Sequence, residues 1–301
     1  MIAIDIGSNS LRAIRFDCEK MKKLDEFEAI VSTAEAIESG GTILPKTVSK
    51  IEKALEELLQ RFGQEPVVAV ATAAFRKAKN GPLVAEYLQD RFKIDIEIID
   101  PEREGIYASV AAETMLESLG MHGDKFLLAD IGGGSTELVL KHRDDYLIES
   151  FDFGIVTLSH RYGFDQSSLK NALAKELGRI KEFLYGAYEL FSKPKRFVAS
   201  GGTPTTVAAL KLGMDYGGYD GEKVNGCSIF PKDIDEAFKK LASLGAKERA
   251  KLVGEGREEY ILTGLLLLKG LMRAAGYDEI IACDYGVREG VAISECKKNQ
   301  K

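Results

Sequence analysis

The sequence contains few of the residues that build zinc or redox centres. It has four cysteines and three histidines in 301 residues, and no two cysteines have C-x-x-C spacing. The histidines do not cluster near the cysteines. We therefore expect reduced thiols in a cytosolic compartment and no structural zinc.

The sequence also lacks an excess of basic residues and an apolar run of membrane length. Its formal net charge is -6, so no overall positive field would attract nucleic acid, and a polyanion would need a locally positive cleft or a bound metal. The longest apolar run, ILTGLLLLKGLM, is interrupted by Lys269 and reads as a buried helix. The acidic start MIAIDIGSNS does not resemble a signal peptide. We expect a cytoplasmic protein with no nucleic-acid or membrane partner.

Two similar turns, DIGSNS at residues 5–10 and DIGGGSTE at residues 130–137, each lie between short apolar segments. One such turn is commonly only a tight hairpin, but the repetition favours a phosphate site. Glycine lets backbone N–H groups face an anion without obstruction by Cβ, and hydroxyl and amide side chains add donors. The predicted phosphate-binding residues of the two turns are Gly7, Ser8, Asn9, Gly132, Gly133, Gly134, Ser135 and Thr136.

An aspartate lies at the end of the strand that enters each turn. Neither Asp5 nor Asp130 can contact phosphate favourably, because both carry negative charge. Both can hold Mg²⁺ directly or through water, since this ion binds one or two carboxylates together with phosphate oxygens. The two turns would then be the two halves of one phosphate site.

The order of predicted elements is repeated along the chain. Each half has a strand, a glycine turn, a second and a third strand, and then alternating helices and strands. A long helix is predicted over about Gln166 to Phe191, and a last helix over YGVREGVAISECKK. This pattern indicates a duplication at the scale of a domain, with a boundary near residues 119–123. The predicted fold class is α/β, with domains 1–120 and 121–301.

Seven motifs occur in an order that resembles one known family. They are DIGSNS, ATAAFRKAKN, DPEREG, LADIGGGSTELVL, DFGIVTLSHRYG, FVASGGT and DYGVREGV. The chain looks like the short, two-domain form of the exopolyphosphatase / guanosine pentaphosphate phosphohydrolase (Ppx/GppA) family. That family belongs to the superfamily of actin, sugar kinases and heat-shock chaperones. The resemblance implies two ribonuclease-H-like domains with the active site in the interdomain cleft, and it makes a homodimer an expectation.

The resemblance assigns roles to three positions, and the chain departs from the family at a fourth. Glu104 of DPEREG matches the catalytic glutamate that orients or deprotonates water, although a first-turn glutamate also favours a helix N-terminus. Arg76 matches the family's arginine, whose fork can bind phosphate oxygens, and a solvated basic helix start is the alternative. Glu137 matches the family's GGGSTE glutamate, as a ligand of Mg²⁺ or another divalent cation or as a salt-bridge partner. Ile106 stands where the family commonly has an arginine, which Arg103 could replace.

A third glycine turn, ASGGTPTT, resembles the nucleotide-binding turn of the superfamily. It precedes a predicted helix whose N-terminus could take an anion, so the turn either contacts phosphate or is structural. Its candidate phosphate-binding residues are Ser200, Gly201 and Gly202.

Together with these residues, the resemblance implies a Mg²⁺-dependent hydrolase of phosphoanhydride bonds. The first expected substrate is inorganic polyphosphate, which would release terminal orthophosphate. The close alternative is guanosine pentaphosphate, which carries the same phosphoanhydride chemistry. A kinase of the same superfamily and a non-catalytic sensor of nucleotide or polyphosphate are the further alternatives.

Overall fold

Each of the two predicted glycine turns lies in a sheet of its own. In the computed structural model, which describes residues 1–37, 41–163 and 166–299, the chain divides into two units. The first unit comprises Met1–Ala111 and Gly286–Lys301, and the second comprises Ala112–Tyr285.

The described elements alternate as the sequence predicts. The strands are β1 Ile2–Ile6, β2 Ser10–Asp17, β3 Lys22–Ile30, β4 Val67–Ala71, β5 Ile96–Ile98, β6 Lys125–Ile131, β7 Thr136–His142, β8 Asp145–Phe151, β9 Phe197–Ser200, β10 Ser228–Ile229 and β11 Ile280–Cys283. The helices are α1 Pro45–Phe62, α2 Ala73–Lys77, α3 Gly81–Phe92, α4 Pro101–Ser118, α5 Ile155–Tyr162, α6 Gln166–Phe191, α7 Gly202–Lys211, α8 Gly221–Val224, α9 Pro231–Ala242, α10 Ala246–Val253, α11 Ile261–Ala275 and α12 Val287–Asn299.

The two sheets share one strand order. The first unit has the order β3-β2-β1-β4-β5, and the second has β8-β7-β6-β9-β11 with β10 added at the edge. In both, the first three strands of the unit are antiparallel, and the later strands β4 and β5, or β9 and β11, run parallel to the first. The duplication predicted from the sequence is therefore present in the topology, and the predicted α/β class is confirmed.

The central strand of each sheet is buried on both faces, as Ala3 and Ile4 of β1 and Leu128 and Ala129 of β6 show. In the second unit, Leu127, Ala129 and Ile131 of β6 point into a core that also contains Leu265 and Leu268 of α11. The apolar run of the sequence is thus a buried helix, as predicted. Within the described residues, no helix is both long enough and apolar enough to cross a membrane.

The last helix of the chain packs in the first unit, which differs from the predicted division into 1–120 and 121–301. Val287, Val291 and Ile293 of α12 lie in one apolar cluster with Ala3 of β1 and Ile14 of β2. The apolar face of α12 is buried on this sheet, a long-range contact that local patterns do not reveal. The division of the chain also falls earlier, within α4.

The expectation that all four cysteines are reduced is wrong for one pair. Cys18 and Cys296 form a disulfide with Cα atoms 5.2 Å apart, within the range that a disulfide spans. Cys227 and Cys283 are thiols. The pair is 278 residues apart in the sequence, so spacing motifs could not identify it. It joins the segment after β2 to α12 in the first unit.

Candidate active site

The two predicted phosphate turns are closed by the same hydrogen bond. The N–H of Gly7 donates to the carbonyl of Ser10 at 3.0 Å, and the N–H of Gly132 donates to the carbonyl of Ser135 at 3.1 Å. A Cβ atom at Gly7 would lie 3.2 Å from the Ser10 oxygen, and one at Gly132 would lie 3.1 Å from the Ser135 oxygen. Both glycines therefore occupy crowded positions, and the repeated sequence forms a repeated turn.

The second turn rests on the start of α5. The carbonyl of Gly132 accepts from the N–H of Ile155, and the carbonyl of Gly133 accepts from the N–H groups of Val156 and Thr157. The helix start thus binds the carbonyl oxygens, which would otherwise repel a phosphate near the turn. This arrangement suits a turn whose remaining groups face an anion.

Gly154, which precedes α5, permits this close contact. A Cβ atom at Gly154 would lie 2.4 Å from the Gly132 oxygen and 2.5 Å from the Gly133 carbonyl carbon. The hydroxyl of Thr136, which was predicted to bind phosphate, instead donates to the carbonyl of Phe153 at 2.8 Å. Thr136 is fully buried, so it anchors the turn. Sequence reasoning did not single out Gly154, although it lies in the DFG segment of one quoted motif.

The first turn is held by a different neighbour, the segment that follows β3. The carbonyl of Ser8 accepts from the N–H of Ala34 at 2.9 Å, and the carbonyl of Asn9 accepts from the N–H groups of Val31 and Ser32. The carbonyl oxygens of both predicted phosphate turns are therefore bound within their own units.

The third turn lies against the end of β6. Gly201 has φ of +101°, and a Cβ atom there would lie 2.4 Å from the carbonyl oxygen of Ile131. The hydroxyl groups of Thr205 and Thr206 donate to the carbonyls of Gly201 and Gly202. In the second unit, the structure thus brings the third turn to the strand end that leads into the second turn.

The predicted metal ligands of the second unit share one face of its sheet. Asp130 on β6 lies directly opposite Glu137 on β7, so both side chains point to the same side. The hydroxyl of Ser200 donates to Oδ1 of Asp130 at 2.8 Å, and the hydroxyl of Ser150 donates to Oε1 of Glu137 at 2.8 Å. Ser200 was predicted to bind phosphate, but its buried hydroxyl is directed at this carboxylate.

This pair of carboxylates suits a magnesium ion. Mg²⁺ prefers oxygen ligands and usually combines one or two carboxylates with water or phosphate oxygens. Among residues 1–37, 41–163 and 166–299, no group of three or more histidine, cysteine, aspartate or glutamate side chains could hold a metal ion. Asp130 and Glu137 are the residues of this unit that would hold such an ion, together with oxygens of water or substrate.

Asp5, the predicted metal ligand of the first unit, has a different neighbour. The residue opposite it on β2 is Arg12, whose Nε donates to Oε1 of Glu28 at 3.0 Å. Burial alone lowers the pKa of Arg12, but the charges of Glu28 and Asp5 outweigh burial and raise that pKa above its usual value. The charged guanidinium makes this position less favourable for a cation than the pair in the second unit.

Arg76 and Glu104, the two predicted catalytic residues, contact each other in the first unit. Nη1 of Arg76 donates to Oε2 of Glu104 at 2.7 Å and to the carbonyl of Ile99 at 2.8 Å. The two side chains are 18% and 9% exposed. Arg76 lies on α2, which directly follows β4, and Glu104 lies in the first turn of α4, which directly follows β5. The ends of these two parallel strands therefore bring both residues to one edge of the sheet. Sequence reasoning named both residues but not their contact.

Arg103 does not take the place of the missing arginine at Ile106 in this structure. Its guanidinium donates to Glu97 and to the hydroxyl of Tyr107. Its hydrogen bonds to Glu97 and Tyr107 raise the pKa of Arg103 above its usual value. Arg103 thus braces the outer side of α4.

The chain is similar to known proteins over almost its whole length. The sequence pattern of the Ppx/GppA phosphatase family matches residues 14–299. Exopolyphosphatase 2 of Mycobacterium tuberculosis is 26% identical, over 97% of each chain. The crystal structure of the Aquifex aeolicus member of the family is 29% identical, with a TM-score of 0.78 over 100% of this chain and 98% of that one.

A crystal structure of an exopolyphosphatase from Cytophaga hutchinsonii is 20% identical and superposes with a TM-score of 0.85 over 98% of this chain and 97% of that one. At this identity the likeness shows the fold alone, and it agrees with the two-domain fold that the family resemblance implied. Family pattern, relatives and fold agree, and the chain belongs to the Ppx/GppA phosphatase family.

Proposed function

We propose that the protein is an exopolyphosphatase that hydrolyses the terminal phosphoanhydride bond of inorganic polyphosphate. The pairing of Arg76 with Glu104 is the observation that carries this proposal. The similarity to exopolyphosphatase 2 of Mycobacterium tuberculosis supports the choice of substrate.

The Arg76 guanidinium is oriented for phosphate by its two protein contacts. Both bonds in the described part of the chain use Nη1, so Nε and Nη2 are available as donors. Two such donors match two oxygens of one phosphoryl group. A terminal phosphoryl group bound there lies beside the Glu104 carboxylate, where a base for the attacking water is needed.

The proposed step is an in-line displacement by water. Glu104 accepts a proton as the water oxygen forms a bond to the terminal phosphorus and the bridging P–O bond breaks. The products are orthophosphate and a polyphosphate shortened by one unit. Arg76 stabilises the negative charge that the oxygens carry in the transition state. Asp130 and Glu137 would hold Mg²⁺, which neutralises phosphate charge when it is bound.

The glycine turns serve the rest of the polyphosphate chain in this proposal. The backbone of the second turn, from Gly132 to Gly134, would bind phosphate oxygens through its N–H groups. The backbone N–H groups of the first and third turns would bind other phosphate units of the chain in the same way.

The test compares phosphate release from long-chain polyphosphate and from guanosine pentaphosphate, with Mg²⁺ present. Glu104→Gln keeps a hydrogen-bond acceptor for Arg76 and removes the base, so we expect release to fall by about 10³-fold. Arg76→Lys keeps the charge and loses the fork, for an expected loss of about 10²-fold. Glu102→Gln is the matched control on the same helix, since Glu102 is exposed.

Faster release from polyphosphate than from the nucleotide, lost in Glu104→Gln and kept in Glu102→Gln, supports the proposal. Faster release from guanosine pentaphosphate would show that this nucleotide, and not polyphosphate, is the preferred substrate. Equal activity of Glu104→Gln and the wild type would refute the assignment of Glu104. Binding of both substrates without hydrolysis would instead indicate a sensor.

A further inference from the structure

We propose that Ser150 is a positioning residue that orients the metal-binding carboxylate of Glu137. The inference rests on the proposed function, because it assigns a task in the same metal site. Ser150 lies on β8, 13 residues from Glu137, and belongs to none of the glycine turns.

Ser150 is the outer member of a row of four polar residues that crosses the second sheet. Ser200 on β9, Asp130 on β6, Glu137 on β7 and Ser150 on β8 occupy directly neighbouring positions, so their side chains share one face. Each carboxylate accepts a hydrogen bond from the serine on its outer side, at 2.8 Å in both cases. The two proposed ligands are thus oriented in the same way.

The buried Glu137 carboxylate depends on the hydrogen bond from Ser150 more than an exposed carboxylate would. Glu137 is 1% exposed, and the next residues on its strand, Leu138 and Val139, are fully buried. A buried carboxylate needs hydrogen-bond donors because water does not solvate it. The last torsion of a glutamate side chain is broad, so a bond to Oε1 also fixes where Oε2 lies.

Residues that orient metal ligands in this way commonly change metal affinity by about 10- to 100-fold when they are removed. Ser150→Ala should therefore weaken binding of the ion without removing a ligand. The expected loss is about 10-fold, since a single hydrogen bond is removed. Ser150→Thr keeps a hydroxyl on a strand position that accepts β-branched residues, so it should restore the affinity.

The experiment uses the full chain and titrates Mn²⁺, as the probe for Mg²⁺, by electron paramagnetic resonance. In parallel, phosphate release from polyphosphate is measured against Mg²⁺ concentration. We expect Ser150→Ala to bind Mn²⁺ about 10-fold more weakly and to need about 10-fold more Mg²⁺ for half-maximal release, with kcat at saturating Mg²⁺ near that of the wild type. Ser228→Ala is the matched control, because Ser228 donates to Glu279 in the same unit and lies outside the row.

Unchanged Mn²⁺ affinity in Ser150→Ala would overturn the inference, whether or not kcat is lower. A wild-type protein that binds no Mn²⁺ and hydrolyses polyphosphate in a chelator would overturn both the metal site and this inference. Normal Mn²⁺ behaviour with full activity of Glu104→Gln would refute the proposed catalytic base and leave the role of Ser150 supported.

Discussion

Replacing Gly154 with alanine should displace the second glycine turn without removing any proposed catalytic group. The new Cβ atom would lie 2.4 Å from the carbonyl oxygen of Gly132, whereas ordinary contacts begin near 3.4 Å. Turn and helix start must therefore separate by about 1 Å, since the atoms involved are backbone. Gly154 has φ of -137°, which alanine adopts readily, so crowding alone causes the effect.

We expect two measurable consequences of Gly154→Ala. The free energy of unfolding should fall by about 1–3 kcal/mol, as it does when a packed site is overfilled. The kcat/KM for phosphate release should fall by about 100-fold, because a shift of about 1 Å misplaces bound phosphate. Urea unfolding and a phosphate-release assay measure the two effects on the same preparations.

Gly178→Ala is the matched control in the same unit. Gly178 lies within α6, and a Cβ atom there would meet no atom within 4 Å. This variant should be more stable by up to about 1 kcal/mol and fully active. A Gly154→Ala protein as stable and as active as the wild type would refute the close packing of the turn. Lower stability with unchanged kcat/KM would refute its role in binding phosphate.

Three further predictions concern stability. Cys18→Ser should lower the free energy of unfolding by about 2–4 kcal/mol. A reductant should lower that of the wild type by the same amount and leave that of the variant unchanged, as urea unfolding with and without reductant would show. Cys227→Ser is the control. Gly290→Ala would place Cβ 1.9 Å from the Tyr107 carbonyl oxygen and should cost about 3 kcal/mol or more, seen as a lower Tm; an unchanged Tm contradicts the packing of α12 on α4. Although burial raises the pKa of Asp233, hydrogen bonds from a lysine and a backbone N–H outweigh it and lower that pKa. The stability that Asp233 contributes is therefore present above about pH 4 and is lost as the pH falls through the pKa of the folded state. The difference in unfolding free energy between the wild type and Asp233→Asn should narrow below about pH 4. Urea unfolding at several pH values would show this.

Local pattern predicted most of the elements because it fixes their type and length. The helix predicted over Gln166 to Phe191 has those bounds in the structure, and the hairpins around both glycine turns are where the sequence placed them. The start of β3 at Lys22 could not be predicted from the pattern, because the charged residues there show no apolar alternation although they pair with β2.

Contacts between distant parts of the chain could not be predicted in this way. Arg76 and Glu104 were each identified by motif, but their hydrogen bond depends on how two crossover connections end at one sheet edge. The disulfide partner of Cys18 is 278 residues away. The role of Gly154 depends on a backbone contact that becomes visible only when the turn and α5 are placed together.

The return of α12 to the first unit has a consequence for the order of folding during synthesis. Residues Ala112–Tyr285 form one continuous stretch, so the second unit can fold while the chain is still being made. The first unit lacks α12 and the partner of Cys18 until residues 287–299 have been synthesised. Arg76 and Glu104 lie in the first unit, so the unit that carries the second glycine turn can fold before the unit that carries these two residues is complete.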